Sequence, residues 1–376
     1  MLAMLIARKC VPAKPLYTKR RISHDEWSTT WGDHRGITHF TKSEIELIAA
    51  AALPPLVITR KRVVREGWFA LCMWLHYHAT ANRIRDLVPL YCLAAVSISD
   101  LINEVAKILK ERHGHLLEFF PRRFQHKLPE WANAVEVASQ GAKHNVALFQ
   151  DGTSRKICKP FPSLDRLPPN ITPKDLERRL FDGHHQMCAL SYLAVTNPLG
   201  MIVGDLTKVG PGSFNDSMML LRSKVYSRKS QLRFENLEYS VYGDGAFVME
   251  LPHLDRKFNA PLTVEQEDIN SKMCVVRSVG VEVPFCQITN TFPRLDFARR
   301  NKLYLKPNYA NDYKVGVLLM NFRICLRKTN TTVAWFRKHL FNGAVDQHLH
   351  HGGPVPPSEE TYLPIPDLET YMNGEW

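Results

Sequence analysis

The nine residues 145–153, NVALFQDGT, constrain this chain more than any other stretch. Four apolar residues, Val146, Ala147, Leu148 and Phe149, read as a buried strand. The run ends in Gln150, Asp151, Gly152 and Thr153. A carboxylate at a strand end, just before a glycine, sits at the lip of a sheet with backbone close by. Such placement holds oxygen atoms rigidly, as a hard cation requires of its ligands. Asp-Gly is equally an ordinary turn, so the dipeptide alone leaves both readings open.

The elements that follow narrow the choice. A Pro-rich loop over residues 160–173 leads to two apolar runs, 187–196 and 201–207. Asn197, Pro198, Leu199 and Gly200 separate them, which predicts a β-hairpin. A loop carrying Gly210, Pro211, Gly212 and Ser213 comes next, and Asn215 with Asp216 suits the cap of a helix starting at Ser217. Residues 238–242 read as a strand running into Gly243, Asp244 and Gly245, a second carboxylate at a strand end flanked by glycine. Residues 263–291 are helical in character and contain Glu282. Strand with Asp151, hairpin, helix, strand with Asp244, helix with Glu282 is the order of an RNase H-like nucleolytic core. The expected fold is therefore an α/β RNase H-like catalytic domain. Its acids would converge from separate elements to hold two divalent ions, Mg2+ or Mn2+, for phosphoryl transfer.

Composition supports a polyanionic partner. The chain has 376 residues, with 49 Lys and Arg against 37 Asp and Glu, a net charge of +12. A balance this basic points first to nucleic acid, although a solvated basic surface gives the same count. The longest apolar run, residues 47–58, is interrupted by Pro54 and Pro55 and is too short to span a bilayer. Residues 1–6 are apolar without the basic segment and length of a signal peptide. Eight scattered cysteines form no Cys-x-x-Cys pair, which argues against a zinc ribbon and for a reducing compartment.

The N-terminal part reads as helical. Residues 1–40 form a basic arm carrying Lys19, Arg20 and Arg21. Residues 41–128 form an all-α, helix-turn-helix-like domain. Thr41 to Glu44 opens a helix that ends at Pro54 and Pro55. A short basic cluster follows, Arg60, Lys61, Arg62 and Arg65. Ser97, Ser99 and Asp100 suit a helix N-cap, and Ile98, Leu101, Ile102, Val105, Ile108 and Leu109 recur at helical spacing. Short helices joined by a tight turn fit a helix-turn-helix, and a plain helical bundle fits the same spacing. Residues 121–127 read as a basic linker, residues 145–330 as the nuclease domain, and residues 331–376, with His348, His350 and His351, as a polar C-terminal tail.

At these residues the chain resembles the PIF/Harbinger-type transposases, the DDE superfamily endonucleases, over most of its length. Asp151, Gly152 and Thr153 match the family's first catalytic motif, and Gly243 to Phe247 matches the second, with Phe for Tyr. Gly210 and Pro211 ahead of Asn215 and Asp216 match a Gly-Pro loop before a His-Asp pair, with Asn for His. Glu282 matches the third acid and Phe285 a helix aromatic, while Pro284 and Cys286 replace glycines. Arg277 lies one residue further from Glu282 than in the family. Residues 82–87, 97–105, 295–297, 301–305, 317–319 and 357–363 also resemble family text.

The resemblance implies a metal-dependent DNA endonuclease and transposase, a hydrolase acting in the nucleus. It implies Asp151, Asp244 and Glu282 as catalytic and metal-binding residues, with Asp216 secondary. Its partner would be double-stranded DNA, gripped by Arg60, Lys61, Arg62, Arg65, Arg83 and Arg85. A separate Myb-like DNA-binding protein and a homo-oligomer are further partners to expect, and no membrane. A proline inside a helix costs about 3 kcal/mol or more and is tolerated in the first turn. The catalytic helix must therefore restart near Glu282, or the third acid is displaced. Pro284 and Asn215 leave open the alternative of a domesticated or decayed relative that binds DNA or protein without cleaving.

Overall fold

The computed structural model describes residues 34–80, 82–160, 171–204, 206, 209–223, 227–228, 231–247, 253–297, 309–351 and 354–376. The basic triplet at 19–21 and the stretch 301–305 lie outside them. The chain divides into two compact units, Met1–Val105 and Ala106–Trp376.

In the first unit, α1 is His34–Thr38 and α2 is Lys42–Ala52. Thr41 caps α2 through a reciprocal box: Glu44 N–H donates to Thr41 Oγ1 at 3.2 Å and Thr41 N–H donates to Glu44 Oε2 at 2.8 Å. Strands β1 (Leu56–Ile58) and β2 (Val64–Glu66) then pair antiparallel as a hairpin. The basic cluster at 60–65 thus sits on a hairpin that the sequence did not suggest. Three-residue strands are too short to show an alternating pattern. Helix α3 (Gly67–Ala79) is apolar all round and almost wholly buried. Helices α4 (Ile84–Tyr91) and α5 (Ala95–His113) are joined by three residues, with Cys92 left-handed at φ 49°. α5 starts at Ala95, so Ser97, Ser99 and Asp100 lie in its first two turns rather than at its cap. Ile98, Leu101, Ile102, Val105 and Leu109 are buried, as their spacing requires.

The second unit is mixed α/β. Helix α6 (Leu128–Ala138) precedes β3 (Val146–Lys156). Then come α7 (Pro173–Leu180), β4 (Phe181–Asp182), β5 (Met187–Thr196), β6 (Ile202–Gly204), β7 (Gly210–Pro211) and α8 (Asp216–Leu221). Strands β8 (Arg233–Phe234) and β9 (Leu237–Glu238) form a separate ladder before β10 (Ser240–Gly243) and β11 (Leu254–Arg256). Helices α9 (Val264–Arg277), α10 (Val283–Thr291), α11 (Tyr309–Arg327), α12 (Thr331–His351) and α13 (Leu368–Met372) complete it. The main sheet runs β11-β10-β3-β5-β4, with β6 and β7 also paired to β5. β3 and β5 are antiparallel, whereas β10 is parallel to β3 and β11 to β10.

Three further expectations are corrected. The strand expected to end in Gln150, Asp151, Gly152 and Thr153 continues to Lys156, paired with β5 from Phe149 onward. Pairing to β10 stops at Phe149, so Asp151 stands where its parallel neighbour ends rather than where its own strand does. Residues 331–376 are not a solvated tail. Val333, Phe336 and Leu340 are buried at helical spacing in α12, and Arg337 donates to the carbonyls of Lys328, Tyr362 and Leu363 at 2.7–3.0 Å. Tyr371 is fully buried, and the Trp376 ring lies 5.9 Å from that of Trp131. A few apolar residues spaced among many polar ones carry that burial, and overall polarity hides them. Residues 121–127, read as a linker, form short 3-10 turns with Pro121 and Phe124 buried. Among the described residues no helix is long and apolar enough to cross a membrane.

Candidate metal centre

The parallel register sets Val241 beside Leu148 and Tyr242 beside Phe149. Two residues further along each strand lie Asp244 and Asp151, so the sheet itself brings the two acids together. Asp216 joins them from the first turn of α8. Ligand oxygens of Asp151, Asp216 and Asp244 all lie within 4.8 Å of one another. Asn215 fixes that helix start, its Oδ1 accepting from Met218 N–H at 2.9 Å. Ser217 Oγ donates to the Ala246 carbonyl at 2.8 Å, tying α8 to the loop that carries Asp244. Asp244 is itself oriented by the Ala246 N–H, 2.9 Å from its Oδ1.

Gly152 makes the approach possible. A Cβ built there would overlap the Asp216 carboxylate, 2.6 Å from its Cγ. The glycine after Asp151 therefore admits a second acid from another element. It is not a turn residue.

The electrostatics follow from crowding. Burial pushes the Asp151 carboxyl up to about 7, and the nearby Asp216 and Asp244 add to the effect against the opposing Arg277 guanidinium. Burial and then Asp244 push Asp216 up to about 6. Arg277 Nη1 donates to Asp151 Oδ2 at 3.0 Å, and Nη2 donates to Glu282 Oε1 at 2.6 Å. Glu282 Oε2 also accepts from Ser278 Oγ at 2.9 Å. The structure thus brings together Asp151, Asp244 and the secondary candidate Asp216, and it places Glu282 across the guanidinium from Asp151. Glu282 is not among the atoms of the three-acid cluster.

The backbone between Arg277 and Glu282 explains that placement. Residues Ser278–Glu282 form a π turn, in which Val283 N–H reaches back to the Ser278 carbonyl. A π turn of this kind is rare in helices and recurs at functional sites. Pro284 follows in the first turn of α10, where a proline is tolerated. The backbone stays helical from Arg277 through Val283, so the π turn, and not a fresh start at Glu282, sets where the acid points. The carbonyls that lose donors are recaptured from outside: Thr332 Oγ1 donates to Val279 O at 3.1 Å and Thr196 Oγ1 to Gly280 O at 2.7 Å. Gly280 lies against the Phe149 ring, where a Cβ would be 2.8 Å from the ring Cγ.

Of the residues expected to contact DNA, Arg60, Lys61 and Arg62 are exposed around the β1–β2 turn, Arg65 is half-buried on β2, and Arg83 and Arg85 are exposed at the start of α4. Sequence reasoning did not single out Thr196, Thr332 or the bridging role of Arg277. Pro284 was the available signal for Thr196, since its missing N–H requires a substitute donor; the Val279 carbonyl that Thr332 takes up is left over by the π turn, which no sequence pattern announces.

No family model, curated protein or solved structure matches this chain.

Proposed function

We propose that the second unit is an RNase H-like catalytic domain and that the chain is a divalent-metal-dependent DNA endonuclease and transposase of Harbinger type. The observation that carries this is the three-aspartate cluster, whose ligand oxygens lie within 4.8 Å of one another. The sheet order adds support: antiparallel β5 on one side of β3, parallel β10 and β11 on the other.

The donor set fits Mg2+ or Mn2+. Carboxylate oxygens are hard donors, and ligands on opposite sides of a Mg2+ ion lie about 4 Å apart. Asp151, Asp216 and Asp244 would hold the cation. Glu282 would join only by releasing Arg277. Bound there, divalent metal supplies an activated oxygen nucleophile and stabilises the leaving oxygen. The chain's own residues hold the acids at one sheet edge, and Arg277 partly neutralises them. The exposed arginines of the first unit contact the phosphates of the substrate, double-stranded DNA in the nucleus, with binding that falls steeply with salt.

A nicking assay on plasmid DNA with Mg2+ or Mn2+ tests the reading. Cleavage lost in Asp151→Asn and Asp244→Asn with DNA binding retained supports it. Cleavage surviving in Asp151→Asn overturns it. A non-cleaving DNA- or protein-binding relative is the second reading, and the engagement of both Asp151 and Glu282 by Arg277 favours it. Absence of metal-dependent nicking in the wild type, with salt-sensitive DNA binding intact, is its signature.

A further inference from the structure

We propose that the β1–β2 hairpin is a minor-groove probe for A·T-rich duplex DNA, resting on the DNA-binding half of the proposed function. The hairpin base is anchored: Val57 is fully buried and Thr59 nearly so. Thr59 N–H donates to Val63 O at 3.0 Å, and Val63 N–H donates to Thr59 Oγ1 at 3.1 Å. Beyond that anchor only Arg60, Lys61 and Arg62 remain, and all three are exposed.

The turn is built at a conformational cost. Arg62 N–H closes back on Thr59 O at 2.8 Å, and Arg62 itself is left-handed at φ 60°. In a three-residue hairpin loop this position is the bulge that glycine or asparagine fills without strain. Arg62 is one of ten described non-glycine residues at positive φ, and it holds its side chain at the tip at a local conformational cost. Lys61 Nζ lies 3.1 Å from Asp100 Oδ2 on α5, an exposed ion pair without hydrogen-bond geometry that biases the tip only weakly toward that helix. Arg60 and Arg62 make no ion pair with an acid among the described residues.

Two exposed arginines on a three-residue tip suit a narrow groove of negative potential. The minor groove is about 6 Å wide, too narrow for a helix but open to extended side chains. Over A-tracts it narrows further, and its negative potential draws in arginine. Directly behind the tip, Ile58 and Val64 pair across the strands and are exposed, at 57% and 38%. Apolar side chains beside minor-groove arginines serve in other proteins as wedges against the base steps.

Fluorescence anisotropy of the full chain in EDTA, with labelled poly(dA)·poly(dT) and poly(dG)·poly(dC) duplexes, tests this without metal chemistry. The wild type should bind the A·T duplex tighter by roughly fivefold or more. Arg60→Ala and Arg62→Gly should each reduce that ratio, and together abolish it. Arg62→Gly should also raise the melting temperature, because glycine relieves the left-handed strain, so loss of preference cannot be loss of folding. Asp100→Asn, which keeps the tip's charges but frees Lys61, should weaken the preference only slightly. No A·T preference in the wild type overturns the proposal. So does equal weakening on both duplexes by the double variant, which would make the arginines phosphate contacts only, or a tip bound to a protein acid instead. A chain that fails to nick DNA can still pass this test, so the two readings fail separately.

Discussion

The Thr196 hydroxyl donates to the Gly280 carbonyl at 2.7 Å, taking the bond that Pro284 cannot make. In an uninterrupted helix the Gly280 carbonyl would accept from the backbone N–H four residues on, and that residue is the proline. Strand β5 therefore closes a gap in the helix that carries Glu282. Both groups are buried, so water offers no replacement.

Thr196→Val should cost about 1–3 kcal/mol, the penalty of a buried unpaired carbonyl. Pro284→Ala restores a backbone N–H at the right place. It should therefore rescue most of the loss in the Thr196→Val background while doing little in the wild type. Urea denaturation of the four proteins gives the coupling. Additive costs would mean that the hydroxyl and the proline are unrelated.

Gly152→Ala should displace Asp216, because the new Cβ overlaps that carboxylate. The carboxylate is the free end of a side chain and can swing aside, so the folded state should lose little stability while the acid leaves the cluster. Mn2+ affinity, followed by electron paramagnetic resonance, should fall as it does in Asp216→Asn. Gly183→Ala is the control, since a Cβ there meets nothing within 4 Å. Unchanged Mn2+ binding in Gly152→Ala would remove Asp216 from the ligand set.

Asp151 and Asp216 titrate at about 7 and about 6 in the folded chain, above the ordinary carboxylate range. Between that range and about pH 7 the native state holds more protons than the unfolded state, so these groups make stability fall as pH rises. Above about 7 the full penalty of two crowded charges is present, and a divalent ion relieves it. Mn2+ should bind weakly at pH 5.5 and tighten through pH 7, at about one proton released per acid. Asp216→Asn should stabilise the metal-free protein at pH 8 by about 1–2 kcal/mol, because it removes a charge that burial and Asp244 disfavour and that solvent only partly screens. A metal-free stability that rises from pH 5 to pH 8 in wild type but not in Asp216→Asn would contradict this.

Arg277 and Glu282 give opposite expectations. Arg277→Gln removes a positive charge 3.0 Å from Asp151 and should tighten Mn2+ binding while destabilising the metal-free fold. Glu282→Gln should leave Mn2+ affinity nearly unchanged, because its carboxylate faces the guanidinium and Ser278. If Glu282→Gln weakens Mn2+ as much as Asp244→Asn does, the glutamate swings into the site on loading.

The sequence by itself determined the local elements. Thr41 and Glu44 specify a cap, the apolar run at 146–149 specifies a buried strand, and the paired apolar runs at 187–196 and 201–207 specify antiparallel neighbours. It also marked Asp151 and Asp244, because a carboxylate beside glycine next to an apolar run is a local pattern. Proximity of acids from different elements is not local. Whether Asp216 or Glu282 stands with the two strand acids depends on one π turn, one guanidinium and a missing Cβ at Gly152, none of which has a sequence period. The hairpin at 56–66 stayed hidden because strands of three residues are shorter than the pattern that reveals strands. The packing of residues 331–376 stayed hidden because burial there depends on partners far along the chain, such as Trp131 against Trp376. Local preference fixes what each segment becomes, and only tertiary contact decides which side chains meet.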